Sequence, residues 1–299
     1  MRALSICALM AVTWSFALTT SGIAQSESEQ QRHIYQAAVT DPSNKAKVDA
    51  LVATLIEVPP GSGRYLVEGD ILLSRSELET YLKGLRTPQA NQVSSDELIV
   101  NVFGGRLDYL AAPARRRMTY HVQANTFPSV AAARTAEENF RKAAVEWQEA
   151  CPECAISFVE LSQAEVSSGN VPTFVVKYEN VAGGPIARAF FPSSPNDDRQ
   201  VVIFPGYFDP AMGFDPVGVL RHEIGHILGY RHEHIRNIPG CFTEGNSYKP
   251  LTPYTPNSVM HYFCGGAGSL DLTIRDSDKR GHRCLYLTGA PCPQTVARQ

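Results

Sequence analysis

Residues 222–233, which read HEIGHILGYRHE, determine both the expected fold and the expected chemistry. Residues four positions apart share one face of a helix, so the imidazoles of His222 and His226 reach the same metal ion. Glycine adopts the left-handed conformation at low cost, so the helix ends near Gly229 and the chain turns to return His232 to the metal. Three histidines with one open position are typical of a catalytic zinc site and not of a closed structural one.

The residues around this motif favour a helix with a working base. Glu223 follows the first histidine and reaches the open side of the metal without being a ligand, which is the position of a general base. Asp215 and Pro216 provide a helix cap and a proline at the first helical position. Apolar residues then recur at helical spacing and form a core face: Val217, Leu220, Ile224 and Leu228.

A second segment carries a family resemblance. Residues 258–262 read SVMHY, and an S-x-M-H-Y segment after the extended histidine motif resembles the Met-turn of the metzincin metallopeptidases. Glu233 directly after the third histidine, and a Tyr two residues after the Met, are most similar to the astacin family. The resemblance implies that the three histidines bind one Zn²⁺ ion and that Glu223 is the base. Met260 would lie beneath the metal, and Tyr262 would be a weaker ligand that moves to stabilise the oxyanion.

Parts of the chain depart from the astacin pattern. Residues 237–239 read NIP where astacins continue with an acidic run, and Tyr230 stands where they usually have Phe, although Arg236 matches. Residues 187–192 read ARAFFP and resemble the substrate-binding edge strand of matrixins, with Arg188 where matrixins often have a histidine. This similarity implies that an extended substrate pairs with three residues of the strand: Ala187, Ala189 and Phe190.

The element order predicts an α+β fold. Strands are expected at 118–123, 156–161, 174–178, 187–191 and 201–204, with helices at 130–149 and 276–287. The metzincin resemblance implies a twisted mixed sheet packed on the long helix and the zinc-binding helix. An irregular C-terminal lobe would follow from residue 237.

The preceding part of the chain has a different organisation. Apolar spacing predicts a helix from Lys45 to Ile56, ended by the Pro- and Gly-rich residues 59–63. Residues 65–73 are expected to be extended, and a capping box at Ser74 and Glu77 opens a helix that runs to Leu85. Strands are predicted at residues 98–103 and 106–110.

Domain organisation follows from targeting signals and a basic run. Residues 1–24 have the charged start, apolar stretch and small residues of a secretory signal peptide, and the apolar run is short for a membrane span. We expect a propeptide at 25–114 and a catalytic domain at 115–299, in a protein secreted to the medium or the periplasm. Arg115–Arg117 are either a solvated turn or the cut site of an activating trypsin-like protease, and both interpretations stay open.

The cysteines predict disulfides. Six of the seven cysteines remain after signal removal, and six cysteines allow 15 pairings. We expect neighbours to pair: Cys151 with Cys154, Cys241 with Cys264, and Cys284 with Cys292. The C-x-x-C at Cys151 could instead be a redox pair or half a zinc site, but a second C-x-x-C is absent from the sequence and export implies an oxidising environment.

A latency device is expected in the propeptide. The sequence has no cysteine between Cys7 and Cys151, which excludes a thiolate switch. Residues 67–70 read VEGD and resemble the F-x-G-D motif of astacin propeptides, with Val in place of Phe. The resemblance implies that the Asp70 carboxylate occupies the open metal position until the propeptide is cut. The alternative is an ordinary turn at Gly69 and Asp70.

Two functions agree with these patterns. The first is an exported zinc endopeptidase whose substrate is a peptide or protein, and the second is a catalytically weak zinc-containing module that binds peptides or proteins. The presence of Glu223 favours the first. A net charge of −3 without long blocks of like charge indicates no nucleic-acid partner.

The remaining histidines are not expected to bind zinc, because three ligands complete the site. His33, His121 and His282 are predicted on the surface or in loops. His234 is predicted to point to solvent, and His261 to be structural.

Overall fold

The computed structural model describes the following residues: 33–57, 60–67, 70–85, 98–181, 185–235, 248–261 and 267–292. None of the helices in these ranges is long and apolar enough to cross a membrane. The chain divides into two compact units, one ending at Thr54 and the other beginning at Leu55. The predicted signal peptide, residues 1–24, lies outside the described ranges.

The first unit is helical where it is described. Residues 33–40 are helical, and helix α1 spans Lys45–Val52. The side chain of Asn44 caps α1 by accepting hydrogen bonds from two backbone amides of the first turn. The prediction that this helix continues to Ile56 is wrong, because Ile56 pairs with Leu66 in a β-ladder. A non-local pairing overrides the local apolar periodicity here.

The second unit contains both strands and helices. Its described strands are β1 Ile56–Glu57, β2 Arg64–Val67, β3 Ile71–Ser74, β4 Ile99–Phe103, β5 Arg106–Leu107, β6 Met118–Val122, β7 Phe158–Glu160, β8 Phe174–Tyr178, β9 Ala187–Arg188, β10 Gln200–Ile203, β11 Tyr230–Arg231 and β12 Tyr248–Pro250. Its helices are α2 Arg75–Leu85, α3 Val130–Ala150, α4 Gln163–Ser167, α5 Pro216–Ile227 and α6 Asp276–Thr288. The described chain therefore has a mixed α+β architecture, as predicted.

Strands β1, β2 and β3 form an antiparallel sheet of their own. Asp70 directly precedes β3, and α2 directly follows it. The predicted capping box opens α2: the Ser74 amide donates to Glu77 Oε2 at 2.7 Å, and the Glu77 amide donates to Ser74 Oγ at 3.3 Å. The helix predicted here is confirmed. The single extended segment expected at 65–73 is wrong, because the chain reverses between β2 and β3 and places Val67 opposite Ile71.

The main sheet has the order β7-β6-β8-β10-β9. Its ladders are parallel except the last, where β9 runs antiparallel to β10 at the sheet edge. Helix α3 packs against α5, and the Trp147 indole donates to the backbone oxygen of Arg221 at 2.8 Å. The Phe140 ring of α3 contacts Tyr120 of β6 and Phe174 of β8. Each such fully buried side chain stabilises the fold by roughly 1.5–3 kcal/mol. Phe140 thereby holds α3 against the sheet, and Trp147 joins α3 to α5.

A third sheet lies next to the end of α5. Its order is β11-β4-β12, with β5 paired to β4, and all of its ladders are antiparallel. Strand β11 follows α5 closely along the chain, so this sheet receives the segment between Gly229 and His232. The strands predicted near residues 98–110 are present, although β5 is shorter than expected.

Two of the three expected disulfides are present: Cys151–Cys154 and Cys284–Cys292. Cys241 and Cys264 lie outside the described residues. The C-x-x-C pair at Cys151 is therefore a disulfide in this structure, and neither of its sulfurs is available as a metal ligand.

Candidate metal centre

Helix α5 carries the first two histidines, and its start agrees with the sequence. Pro216 is the first helical residue, and the Asp215 side chain accepts hydrogen bonds from the amides of Val217 and Gly218. Tight packing at Gly218 and Gly225 holds the helix in place. A Cβ atom on Gly225 would collide with the Met260 sulfur, and one on Gly218 would collide with the Asp271 backbone oxygen.

The chain turns sharply after α5 and brings the third histidine back. The backbone of Gly229 has φ +95°, a conformation that glycine adopts far more readily than other residues. The turn leads into β11, which pairs with β4 and ends directly before His232. The side chains of His222, His226 and His232 are all buried and converge as the sequence pattern predicts.

Asp70 lies at the centre of the three histidines. Its Oδ2 is 2.9 Å from Nε2 of His232, 3.3 Å from Nε2 of His226 and 3.4 Å from Nε2 of His222. The Nε2 atoms of His222 and His232 are 3.1 Å apart. The structure therefore places three imidazoles and one carboxylate in a single buried cluster.

These distances fit a small tetrahedral ion. Zinc binds imidazole nitrogen and carboxylate oxygen at about 2.0–2.1 Å, so two ligand atoms of a tetrahedral site stand about 3.3 Å apart. The observed separations of 2.9–3.4 Å have this size. The four residues could hold one metal ion, and their donor set is one that zinc accepts.

The other ring nitrogens are held by backbone carbonyls. His222 Nδ1 donates to the Val259 oxygen at 2.8 Å, and His226 Nδ1 donates to the Tyr230 oxygen at 2.8 Å. A proton on Nδ1 leaves the Nε2 lone pair free, so these carbonyls select the tautomer that binds metal through Nε2. Ligand orientation thus depends on residues outside the H-E-x-x-H motif.

Burial and charge set the protonation of the cluster. Burial lowers the pKa of His222 to about 4, which keeps its imidazole neutral and able to bind a metal at neutral pH. Burial alone would raise the pKa of Asp70, but the neighbouring imidazoles of His232 and His226 lower it well below its usual value. Asp70 is therefore an anion in contact with three histidines.

Glu223 is buried beside the cluster but is not part of it. Burial raises its pKa well above the ordinary value, and the negative charge of Asp70 adds to the effect. Its Oε2 atom has no hydrogen-bond partner among the residues that the structure describes. Such a carboxyl group accepts and holds a proton more readily than an exposed glutamate does.

Met260 is fully buried against helix α5, next to Gly225. Its backbone oxygen accepts a hydrogen bond from the Glu233 amide at 2.8 Å. The role of Met260 beneath a metal ion, which the family resemblance implies, stays a prediction. Tyr262, the other residue of that segment with an expected role, lies outside the described residues, as does Arg236.

Asp278 is a supporting residue that the sequence analysis missed. Its carboxylate accepts hydrogen bonds from Ser258 Oγ at 2.7 Å and from the Val259 amide at 3.1 Å. Burial raises its pKa to about 6. Asp278 in α6 fixes the Val259 backbone, and the Val259 oxygen orients His222. Asp278 therefore supports the candidate metal site without entering it. The sequence offered one signal for Asp278, which is its position as an acidic residue in the first turn of a predicted helix. By itself this position indicates only a helix cap.

The predicted substrate strand lies at the edge of the main sheet. Ala187 belongs to β9, Ala189 and Phe190 follow it, and all three are buried. The ring of Phe191 packs edge-on against His226, with centroids 5.4 Å apart. The segment that follows the edge strand therefore contacts the histidine cluster.

Three histidines outside the motif differ from the sequence predictions. His121, His234 and His282 are buried, so their placement on the surface or towards solvent is wrong. His121 is in β6 and its Nδ1 lies 2.9 Å from the Leu161 oxygen, whereas His282 is bonded to the Tyr230 hydroxyl at 2.6 Å. Packing partners distant in sequence bury them. His33 is exposed and His261 is buried, as predicted.

Comparison with known proteins adds no family assignment. No family model matches the chain, and no curated protein matches it. Among solved structures, myroilysin is 17% identical with a TM-score of 0.43, covering 63% of this chain and 98% of that one. The GM1-bound form of the ECX AB5 holotoxin is 14% identical with a TM-score of 0.42, covering 67% and 92%. Overlaps of this size do not establish a common fold or activity.

We expect His232→Ala to lose bound zinc, because the cluster would lose the histidine nearest to Asp70. His121→Ala is the matched control, since His121 is also buried but does not belong to the cluster. Metal analysis after dialysis should show zinc retained in the control and depleted in His232→Ala. Full zinc content in His232→Ala would contradict the three-histidine site.

Proposed function

We propose that this chain is an exported zinc endopeptidase made as a latent precursor in which Asp70 occupies the position needed for catalysis. The observation that carries the proposal is the contact of one Asp70 oxygen with Nε2 of all three motif histidines. An isolated H-E-x-x-H match does not predict such a contact. It requires a residue from far upstream to enter the site.

His222, His226 and His232 would hold the zinc ion, and Asp70 would be the fourth ligand in the precursor. When bound, zinc polarises a scissile carbonyl and lowers the pKa of its water towards ~7. The carbonyl oxygens of Val259 and Tyr230 keep the imidazoles oriented for this task.

Glu223 supplies the proton transfer. Once Asp70 leaves, the carboxylate removes a proton from the attacking water and delivers it to the leaving amine. Its burial beside the histidine cluster supports this role, because a buried carboxyl group holds a proton more readily than an exposed one does. We assign the stabilisation of the oxyanion to the Tyr262 hydroxyl on the basis of the Met-turn resemblance alone.

The substrate would bind as an added strand. Among the described strands, β9 pairs with β10 alone, and its other side is the sheet edge. A peptide in extended conformation satisfies the backbone groups of such an edge, next to Phe191 and the metal cluster. The two described disulfides are compatible with export.

A second function has one observation in its favour. With Asp70 in place the cluster has four protein ligands, and a closed four-ligand site is also typical of a structural zinc domain. In that case Asp70 would be a permanent ligand of a binding module. Removing Asp70 distinguishes the two functions. In a peptidase it frees the fourth metal position for catalysis, whereas in a structural site it only weakens zinc binding.

The test is to purify the uncut Asp70→Ala precursor and to assay casein cleavage with and without a chelator. We expect chelator-sensitive cleavage by Asp70→Ala and none by the uncut wild type. Asp276→Ala, which removes a fully exposed carboxylate, is the control and should stay silent. An Asp70→Ala precursor that contains zinc and is as silent as wild type would refute the latency role.

A further inference from the structure

Residues 98–110 lie between the inhibitory Asp70 and the basic run Arg115–Arg117. We propose that this segment is a permanent part of the metal-binding body, which we define as the described residues from Leu98 onwards, and that latency ends only when a cut between Asp70 and Leu98 releases the chain before it. A cut at Arg115–Arg117 alone would nick the protein without opening the site. This inference rests on the proposed function and locates the end of its inhibitory segment.

The first argument is strand pairing. Strand β4 lies between β11 and β12, with Val100 opposite Tyr230 on one side and opposite Lys249 on the other. Strand β11 ends directly before His232. Removing β4 would expose the backbone amides and carbonyls of both neighbours, including those of the strand that delivers the third histidine.

The second argument is burial. Leu98, Ile99 and Val100 have no exposed surface, and Leu98 packs against Gly281 in α6. Leu98 and Val100 belong to the same core cluster as the buried face of α5. Side chains that complete the core of the metal-binding body cannot leave it without opening that core.

The third argument is a direct connection to the site. The Asn101 amide donates to the Gly229 oxygen at 2.8 Å, at the turn that precedes His232. The Asp108 carboxylate accepts hydrogen bonds from Asn101 Nδ2 at 2.8 Å and from Ser193 Oγ at 2.7 Å. Ser193 follows the predicted substrate strand. The segment therefore links the turn beneath the metal to the loop after the sheet edge.

The inhibitory hairpin, which consists of strands β1, β2 and β3 with Asp70 directly before β3, is attached to the rest of the unit differently from residues 98–110. Strands β1, β2 and β3 form their own sheet and share no ladder with the other described sheets. The hairpin contacts the rest of the unit through an ion pair from Arg64 to Asp198, through Leu66 packed on Val202 and Phe204, and through Asp70. Among the described residues no backbone ladder joins the hairpin to the other sheets, so it can leave without unpairing any of their strands.

The test uses the full-length precursor with an inserted recognition sequence for a specific protease. In the first variant the insertion lies between Ala111 and Ala112, both exposed. In the matched variant it lies between Gln92 and Val93. After cleavage, both are examined by gel filtration, metal analysis and casein assay.

In the first variant we expect the two pieces to elute together with zinc retained and no rise in activity. In the matched variant we expect the piece ending at Gln92 to separate at a lower urea concentration than the piece ending at Ala111 does. Casein cleavage should appear once the piece ending at Gln92 has been removed. Elution and zinc content need no peptidase activity. If both variants elute as expected but neither cleaves casein, the proposed function is refuted, whereas the inference that residues 98–110 stay with the metal-binding body still stands.

The inference is overturned if the piece ending at Ala111 separates under native conditions and leaves a soluble body with full zinc content. If the insertion variants fail to fold, a second measurement tests the same inference. Mass spectrometry of the naturally processed active protein identifies the first residue of its chain. We expect its chain to start before Leu98. An active form that starts after Leu110 would also overturn the inference.

Discussion

Replacing Glu223 by glutamine is expected to leave the zinc content unchanged and to lower kcat/KM by at least ~100-fold, the low end for removing a general base. Glutamine has nearly the same shape, so the packing of α5 and the three histidines should persist. It has no basic oxygen that takes a proton from the attacking water. The measurement is casein or peptide cleavage by the processed enzyme, alongside metal analysis of the same sample.

Glu146→Gln is the control for this variant. Glu146 forms an ion pair with Arg221, which directly precedes His222 in α5, so the change touches the same helix without entering the cluster. We expect near wild-type rates from Glu146→Gln. If Glu223→Gln binds zinc normally and cleaves at a similar rate, then Glu223 is not the base and the mechanism proposed above is wrong.

The features that could be predicted from sequence depend on local geometry. The spacing of His222 and His226 on one helical face, the Asp215 cap and the capping box at Ser74 each involve residues within one or two turns. Backbone geometry alone then places the side chains. The left-handed turn at Gly229 is local in the same sense, because glycine is the residue that tolerates it.

The features that sequence reasoning missed depend on contacts between distant segments. The helix α1 ends early because Ile56 pairs with Leu66, and His282 is buried because it packs under Tyr230 and Trp147. Neither partner can be identified from the spacing of nearby residues. The same holds for Asp278, whose support of Val259 depends on α6 lying beside the Met-turn segment.

Asp70 is an intermediate case. A four-residue resemblance suggested its role, and its meeting with the histidines required the placement of a separate hairpin. The predicted boundary at residue 114, by contrast, relied on a basic run alone. Charge runs carry no information about strand pairing, and β4, which precedes that boundary, pairs with β11 and β12. The boundary itself stays a prediction.

Gly229→Ala is expected to combine a large loss of stability with a loss of zinc. An alanine at φ +95° is strained by about 1–2 kcal/mol, and its Cβ would also collide with the Asp108 backbone oxygen. Overpacking of this kind costs about 1–3 kcal/mol more. The collision pushes apart the turn before His232 and the segment that carries Asp108, so the third histidine should shift away from the cluster.

Gly213→Ala separates the two effects, because Gly213 has φ +78° but the atom nearest to its added Cβ is 4.0 Å away. The free energy of unfolding of Gly213→Ala should fall only by the cost of backbone strain, about 1–2 kcal/mol, and the variant should keep its zinc. Urea unfolding and metal analysis of both variants give the comparison. If the two variants lose equal stability and both retain zinc, then the packing of Asp108 on Gly229 does not position His232. The segment 98–110 would then contribute to the fold but not to the metal site.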